Sequence, residues 1–253
     1  MAKHTCAICG AQVNLMSEQK LADGTFICRK VCSKKTFKIF DKVEATLDSV
    51  NAHIDQVQYG EKVWNQVFVP LLKTKNKEEK LKRFGKNGEL YVSPSTGLLA
   101  ITENRYKIFI FGKTTLACVY RIADLYSYEY ETEEVKNSEG KTETKHFCNL
   151  LFWNTVGMNP VRFEIRNSKE IEEIAKYFDT LFGIQKTLRN VRNTFSQQVN
   201  AFKAVKNAVS AVKDGTMDEI KADETLAALE DASYGDRTEW IAKADAVLSS
   251  VQK

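Results

Sequence analysis

The sequence has few prolines and glycines and no long apolar run. It contains three prolines and twelve glycines in 253 residues, which argues against long disordered linkers, because such linkers are rich in these residues. No run approaches the roughly 20 apolar residues that span a bilayer, and the first ten residues, MAKHTCAICG, lack the apolar segment of a signal peptide. We therefore expect a cytoplasmic protein that is not integral to a membrane.

Motifs of the common enzyme sites are also missing. The sequence has no phosphate-binding loop, no glycine-rich dinucleotide turn, no nucleophile elbow and no paired-carboxylate motif. Its three histidines are His4, His53 and His146, and each is more simply a surface or core residue than a general base. Because catalysis requires converging polar groups of perturbed pKa, we expect a protein that is not an enzyme.

The charge of the chain is nearly balanced. Hydrophobic residues make up 43% and charged residues 28%, with a net charge of +4, as in ordinary soluble globular proteins. This net charge does not by itself require a nucleic-acid partner. The length allows two domains, or one domain with appendages.

Four of the six cysteines form two pairs near the N-terminus. Cys6 and Cys9 lie in CAIC, and Cys28 and Cys32 lie in CRKVC. Zinc binds four thiolates tetrahedrally, and four protein ligands close its coordination sphere, so no position remains for water or substrate. We therefore predict a structural Zn²⁺ ion on these four cysteines, with His4 as a spare neighbour. Reduced cysteines that bind no metal, iron in place of zinc, and a redox dithiol pair are the alternatives.

The competing interpretation is a framework of disulfides. Six cysteines permit one, but a reducing cytoplasm disfavours it. Cys118 and Cys148 lie far from the other four, within apolar runs that are typical of strands. We expect these two residues to be buried free thiols.

The cysteine pairs are separated by a segment with the pattern of a hairpin. Apolar residues flank Asp23-Gly24, a dipeptide typical of hairpin turns, and the spacing of the second pair suits the start of a helix. A knuckle, a hairpin and a helix start predict a treble-clef or zinc-ribbon unit over residues 1–35.

The stretch HTCAICGAQVNLMSEQKLADGTFICRKVCSKK resembles the N-terminal zinc-ribbon domain of an uncharacterised family of bacterial and phage proteins. In that family a CxxC pair, a hairpin ending in Lys-x-x-Asp-Gly and a second cysteine pair precede a PH-like domain. Lys20, Asp23 and Gly24 fall on the hairpin motif. The last pair departs from the pattern, because three residues separate its cysteines. The resemblance implies zinc and a PH-like domain but no established activity.

Residues 36–83 have the pattern of connecting helices. Apolar residues over 37–57 recur at steps of three and four, which predicts one amphipathic helix of about seven turns that Gly60 then interrupts. The basic segment KTKNKEEKLKRFGK, residues 73–86, is interpreted as a solvated connector. A phosphate or anionic-lipid contact is the alternative.

Residues 84–182 are rich in β-branched and aromatic runs separated by turn residues. The predicted strands are 89–93, 98–102, 106–111, 115–121, 125–131, 145–153 and 161–166. An amphipathic helix follows from Ser168. This order predicts a PH-like antiparallel β-barrel capped by a helix, within an α+β fold. The loop SPSTG, taken as the first hairpin loop, carries no charge, which disfavours phosphoinositide binding.

Residues 184–253 form a predicted helical tail. An apolar stripe over 184–212 accompanies six basic residues and no acidic residue between 180 and 213, whereas 214–253 is acidic. We expect acidic helices to cover the basic one. Self-association through the stripe, membrane contact and nucleic-acid contact are alternatives.

These features favour a non-enzymatic adaptor that binds a protein partner, with a phage or prophage origin compatible with the resemblance. The alternatives are nucleic-acid binding through the zinc head and segments 73–86 and 186–213, and peripheral membrane attachment.

Overall fold

The computed structural model describes residues 4–106, 113–136, 140–153, 157–181 and 237–251. Small hairpins and a 3₁₀ helix precede one long helix, which is followed by two sheets and two further helices. The elements are β1 (His4–Thr5), β2 (Gln12–Val13), β3 (Glu18–Lys20), β4 (Phe26–Cys28), a 3₁₀ helix (Cys32–Lys35), α1 (Leu47–Val63), a π-helical turn (Trp64–Phe68), α2 (Val69–Leu71), β5 (Lys82–Phe84), β6 (Leu90–Ser93), β7 (Leu98–Tyr106), β8 (Lys113–Arg121), a 3₁₀ turn (Ile122–Asp124), β9 (Leu125–Lys136), β10 (Thr142–Phe152), β11 (Val161–Ile165), α3 (Ser168–Leu181) and α4 (Thr238–Ser250).

The β-rich region consists of two antiparallel sheets. One has the order β5-β6-β7-β8 and the other the order β11-β10-β9. Their inner faces and α3 share one hydrophobic core, which includes Leu99, Cys118, Cys148, Phe163 and Phe178. The mixed helix and sheet content is confirmed, but no closed barrel is found among the described residues, since the two sheets are separate hydrogen-bonded ladders.

The first strand of the four-stranded sheet lies in the segment interpreted as a connector. β5 pairs with β6 in antiparallel register, with Phe84 opposite Leu90, and both side chains are buried. The interpretation of 73–86 as a connector alone is therefore wrong, because the segment contains a short strand. The neighbouring lysines made this strand hard to recognise from the sequence. The first hairpin loop of the sheet is 85–89, and the neutral loop 94–97 joins β6 to β7.

Of the predicted strand over 106–111, only Tyr106 lies within the described residues. β7 continues without interruption to Tyr106, and its partner β8 begins at Lys113. Residues 107–112 lie outside the described residues. Polar residues in the second half of β7 concealed its length, because the alternation of apolar and polar positions fades there.

The predicted helix over 37–57 begins later than its apolar pattern indicates. Thr46 and Ser49 form a capping box, in which the Ser49 N–H donates to Thr46 Oγ1 at 3.3 Å and the Thr46 N–H donates to Ser49 Oγ at 2.9 Å. Residues 37–45 are not helical. Phe37 instead inserts into the core of the two sheets, so its apolar character reports tertiary packing and not helix periodicity.

Gly60 does not interrupt α1 but allows the helix to lie directly against β8. Gly60 is buried, and a Cβ atom at this position would overlap the carbonyl oxygen of Ala117 and lie 3.0 Å from Cys118 Cα. The absence of a side chain therefore sets the distance between helix and sheet.

The outer face of the four-stranded sheet is covered by helices. A second apolar cluster joins this face to the end of α1, the π-helical turn and α4; its buried members are Val63, Trp64, Phe68, Tyr91, Leu98, Ala100, Ala117, Ala244 and Val251. Arg121 on β8 pairs with Asp245 on α4 at 2.7 Å. Part of the acidic tail thus packs against the sheet.

The predicted basic helix over 184–213 lies outside the described residues, and its coverage by acidic helices, its self-association and the four segment boundaries stay predictions. Among the described helices, none combines the length and apolar character needed to cross a bilayer.

Replacement of Gly60 by alanine is expected to lower the free energy of unfolding by about 1–3 kcal/mol, because the added methyl group overpacks the contact with β8. Helix propensity alone predicts that the free energy of unfolding rises by about 0.5–1 kcal/mol. The sign of the measured change therefore distinguishes overpacking from helix propensity. Urea unfolding measures the change. Asn51→Ala, on the exposed face of α1, is the control, and a G60A variant as stable as N51A would contradict the close approach.

Candidate metal centre

The first cysteine pair lies on a knuckle between β1 and β2. The N–H of Gly10 donates to the carbonyl oxygen of Cys6 at 2.9 Å, and the N–H of Cys6 donates to that of Ala11 at 2.8 Å. Gly10 has a φ of +72°, which glycine adopts without strain. This tight turn brings Cys6 and Cys9 to the same side of the backbone.

The second pair joins the end of β4 to the start of the 3₁₀ helix. Cys28 is the last residue of β4, and Cys32 is the first residue of the helix. The N–H of Cys32 donates to Cys28 Sγ at 3.3 Å. Three intervening residues therefore complete one turn between the two sulfurs, which accounts for the spacing that departs from CxxC and agrees with the predicted helix start.

All four sulfur atoms lie within 4.8 Å of one another. Cys6 Sγ and Cys32 Sγ are 3.7 Å apart, as are Cys9 Sγ and Cys28 Sγ. Four thiolates placed about 2.3 Å from one ion at the corners of a tetrahedron are about 3.8 Å apart. The cysteines are not disulfide-bonded, since a disulfide needs about 2.05 Å. The arrangement could hold a metal ion, as the sequence predicts.

Backbone N–H groups around the cluster stabilise the thiolate forms of Cys6 and Cys28. Burial raises the pKa of the Cys6 thiol, but N–H groups of Cys9, Ile8 and Cys28 together outweigh burial and lower this pKa to about 6. Burial also raises the pKa of Cys28, but hydrogen bonds outweigh it and lower this pKa, and the largest of them comes from the N–H of Cys32. Burial raises the pKa of Cys32 well above its ordinary value, and the neighbouring sulfurs add to the shift. The thiolate charge of Cys6 and Cys28 is therefore stabilised at a position where a bound cation would neutralise it.

His4 contributes to the head outside the sulfur cluster. Its Nδ1 lies 2.7 Å from Glu18 Oε2, and its ring stacks on Phe26 with centroids 3.8 Å apart. The sequence prediction that His4 is a spare neighbour agrees with these contacts. His4, on β1, thus contacts both strands of the second hairpin.

His53 joins α1 to the segment that leads from the head. Its Nε2 accepts from the Phe37 N–H at 3.2 Å, and its Nδ1 lies 3.1 Å from Gln56 Oε1, to which it donates. Burial lowers the pKa of His53 to about 4, although the hydrogen bond to Gln56 acts in the opposite direction. The ring is therefore neutral at pH 7 and serves as an acceptor for the backbone.

The hydrophobic core of the head extends to α1. Its buried members are Cys6, Val13, Leu21, Ile27, Cys28, Cys32, Ala45, Val50 and Ile54. The last two belong to the first turns of α1, so the sulfur cluster and the helix share one core. This participation was not apparent from the sequence, because the helical pattern did not indicate what the helix covers.

Asp23, from the Lys-x-x-Asp-Gly motif, connects the second hairpin to α1. Its Oδ2 accepts from the Leu47 N–H at 2.7 Å, and its Oδ1 accepts from the Thr25 N–H at 3.0 Å. These hydrogen bonds, led by that from Leu47, lower the pKa of Asp23. Gly24 has a φ of +82°, as the turn requires. The motif thus has a structural role. Its Asp-Gly dipeptide predicted the hairpin turn but not the hydrogen bond to α1.

Two charged residues of β7 attach the head to the sheet, and the sequence analysis did not identify them. Arg105 donates to the carbonyl oxygens of Lys34 and Thr36, the latter at 2.6 Å. Glu103 accepts from the Lys38 N–H and from Arg105 Nε, both at 2.6 Å. The presence of Glu103 and Arg105 close together in one strand was the available signal. It did not indicate that their partners are backbone groups of residues 34–38.

Comparison with known proteins places one match on this region. Residues 5–53 match the model of a family described as Domain of unknown function (DUF4428). No curated protein matches the chain, and no solved structure matches it. The matched segment contains both hairpins, all four clustered cysteines and the first turns of α1, which is the set of elements that packs around the sulfurs.

Cys28→Ser is expected to reduce bound metal from about one ion per chain to near zero, because three thiolates hold zinc far more weakly than four. Elemental analysis of the purified protein measures the metal, and circular dichroism measures the accompanying loss of thermal stability. Cys118→Ala removes a buried thiol from the sheet core and is expected to retain the ion. Full metal content in C28S would show that the cluster is not the binding site.

Asp23→Asn is expected to lower the melting temperature and to accelerate hydrogen exchange of the Leu47 amide. The amide side chain presents one acceptor oxygen where the carboxylate satisfies both Thr25 and Leu47. Asp55→Asn, the same change on the exposed face of α1, is the control. Unchanged exchange at Leu47 would contradict the role of Asp23 as a link to the helix.

Proposed function

We propose that this protein is a non-enzymatic adaptor in which a structural Zn²⁺ ion orders a head that binds a protein partner. The observation that carries the proposal is the exposure of Leu15 and Met16, whose accessible fractions are 77% and 88%. These residues occupy the turn between the two hairpins that the cysteines hold together. Zinc is the metal that a closed set of four thiolates favours most among the common alternatives.

The turn that carries Leu15 and Met16 is internally hydrogen-bonded. Asn14 Oδ1 accepts from the Met16 N–H at 3.1 Å, and the Asn14 N–H donates to Ser17 Oγ at 3.0 Å. The Glu18 N–H donates to the carbonyl oxygen of Asn14 at 2.9 Å. Polar side chains thus satisfy the backbone while large apolar ones face solvent, although turns ordinarily present polar groups outward. An ordered apolar turn loses little conformational entropy on binding.

A third exposed apolar residue lies at the same end of the second hairpin. The Arg29 N–H donates to the carbonyl oxygen of Ser17, so the chain after β4 runs beside the turn. Val31 follows in that chain and is 55% exposed. We call Leu15, Met16 and Val31 the apolar tip. Large exposed apolar side chains that adjoin one another, as Leu15 and Met16 do in the chain, are typical of protein contact sites.

The finer predictions of fold and location form part of the same proposal. Sheets of four and three antiparallel strands followed by α3 support a PH-like arrangement, which serves as a platform for the head. The six unpaired cysteines support a reducing, cytoplasmic location. The resemblance of the head to bacterial and phage proteins supports a phage or prophage origin.

The double variant Leu15→Ser/Met16→Ser is expected to abolish capture of the partner while metal content and melting temperature stay unchanged. The measurement is quantitative mass spectrometry of proteins retained by the immobilised full chain from cells that encode it naturally. Leu72→Ser, which alters a 46% exposed residue outside the head, is the control and retains the same proteins as the wild type.

Two outcomes would contradict the adaptor role. Equal capture by the wild type and L15S/M16S would exclude the apolar tip as the contact. Binding to DNA or RNA with an affinity that falls steeply with salt, or flotation with liposomes in place of protein capture, would favour the alternative functions.

A further inference from the structure

A cleft of about 820 Å³ lies between the head and the four-stranded sheet. Its walls come from the 3₁₀ helix after Cys32, the segment leading to α1, and the ends of β7 and β8. The lining includes four basic side chains and two hydroxyl groups: Lys34, Lys38, Lys42, Arg105, Ser33 and Thr114. This volume is within the range of small-molecule sites.

Positive charge in this cleft exceeds the negative charge beside it. Glu103 already accepts from the Lys38 N–H and from Arg105 Nε. Within the described part of the chain, the ammonium groups of Lys34 and Lys38 have no carboxylate partner. Both lysines are exposed, so their ammonium groups are available to a ligand.

Lys42 contributes a third, more deeply placed ammonium group. Its Nζ donates to the carbonyl oxygens of Phe37 at 3.0 Å and Phe40 at 3.1 Å, which leaves one of its three protons for a ligand. Burial lowers the pKa of Lys42, and the charge of Arg105 acts in the same direction, against Glu103 and Asp41. An anion in the cleft would relieve this crowding of like charge.

We infer that the cleft binds a small anion that carries two or more phosphate groups. Lysine ammonium groups on separate walls act as point charges that suit phosphate oxygens, and several cations in one concave site concentrate an anion of high charge. The hydroxyl groups of Ser33 and Thr114 supply further donors. The ligand is either a soluble oligophosphate or a phosphorylated lipid headgroup, since both present the same chemistry.

The inference is tested with the full, zinc-loaded chain. Isothermal titration calorimetry with inorganic pyrophosphate measures binding of a soluble ligand, and sedimentation with vesicles containing phosphatidylinositol bisphosphate measures binding of a lipid headgroup. Lys34→Glu/Lys38→Glu is expected to weaken binding at least about tenfold, because two charge-assisted contacts become repulsive. The control Lys30→Glu/Lys35→Glu makes the same charge change at exposed residues outside the lining and is expected to weaken binding less than about twofold.

Melting temperature and metal content verify that each variant is folded. If K34E/K38E unfolds, Lys34→Gln/Lys38→Gln removes the same charges without reversing them and provides the comparison. Pyrophosphate binding that depends on Lys34 and Lys38 supports a soluble ligand, and vesicle binding alone with the same dependence supports a lipid headgroup. Equal weakening by both charge-reversal pairs, or no binding in either arm, would overturn the inference.

Discussion

The convergence of four cysteine sulfurs is the constraint on which the N-terminal unit depends. Two hairpins with strands of two or three residues bury too little apolar surface to fold independently. Sulfurs spaced as a tetrahedral ion requires bring those hairpins together, and N–H groups directed at Sγ of Cys6 and Cys28 stabilise their negative charge. A metal ion held by these sulfurs would therefore stabilise the small core of the head, and the core would in turn position the sulfurs.

The head is attached to the rest of the molecule through backbone groups. Asp23 caps α1, His53 accepts from the Phe37 N–H, and Arg105 donates to two carbonyl oxygens at the end of the 3₁₀ helix. Phe37 adds an apolar anchor in the core between the sheets. These contacts use charged or neutral side chains to satisfy peptide groups of an irregular segment, which would otherwise be costly to bury. Leu15 and Met16 of the apolar tip lie in the turn between the two hairpins, and the basic cleft lies beside this attachment.

Sequence alone was most informative where the signal was local. The cysteine pairs, the Asp23-Gly24 turn, most strands of the sheets and α3 follow from spacing, turn chemistry or periodicity. It failed where tertiary packing supplied the reason for a residue. Phe37 continued a helical pattern by coincidence, Phe84 was hidden among lysines, and Gly60 was interpreted as a break because its packing partner on β8 was unknown. Arg105 contacts backbone about 70 residues away, and no local pattern encodes such a partner.

α1 also fixes the rotational setting of the head relative to the sheet. Its first turns contribute Val50 and Ile54 to the core around the sulfurs, whereas Gly60 rests on β8. Each residue of an α-helix turns the chain by about 100°, so one inserted or deleted residue between Ile54 and Gly60 would swing the cysteine cluster to another side of the molecule. Packing at both ends of this segment therefore constrains its length more strictly than the identity of its exposed side chains.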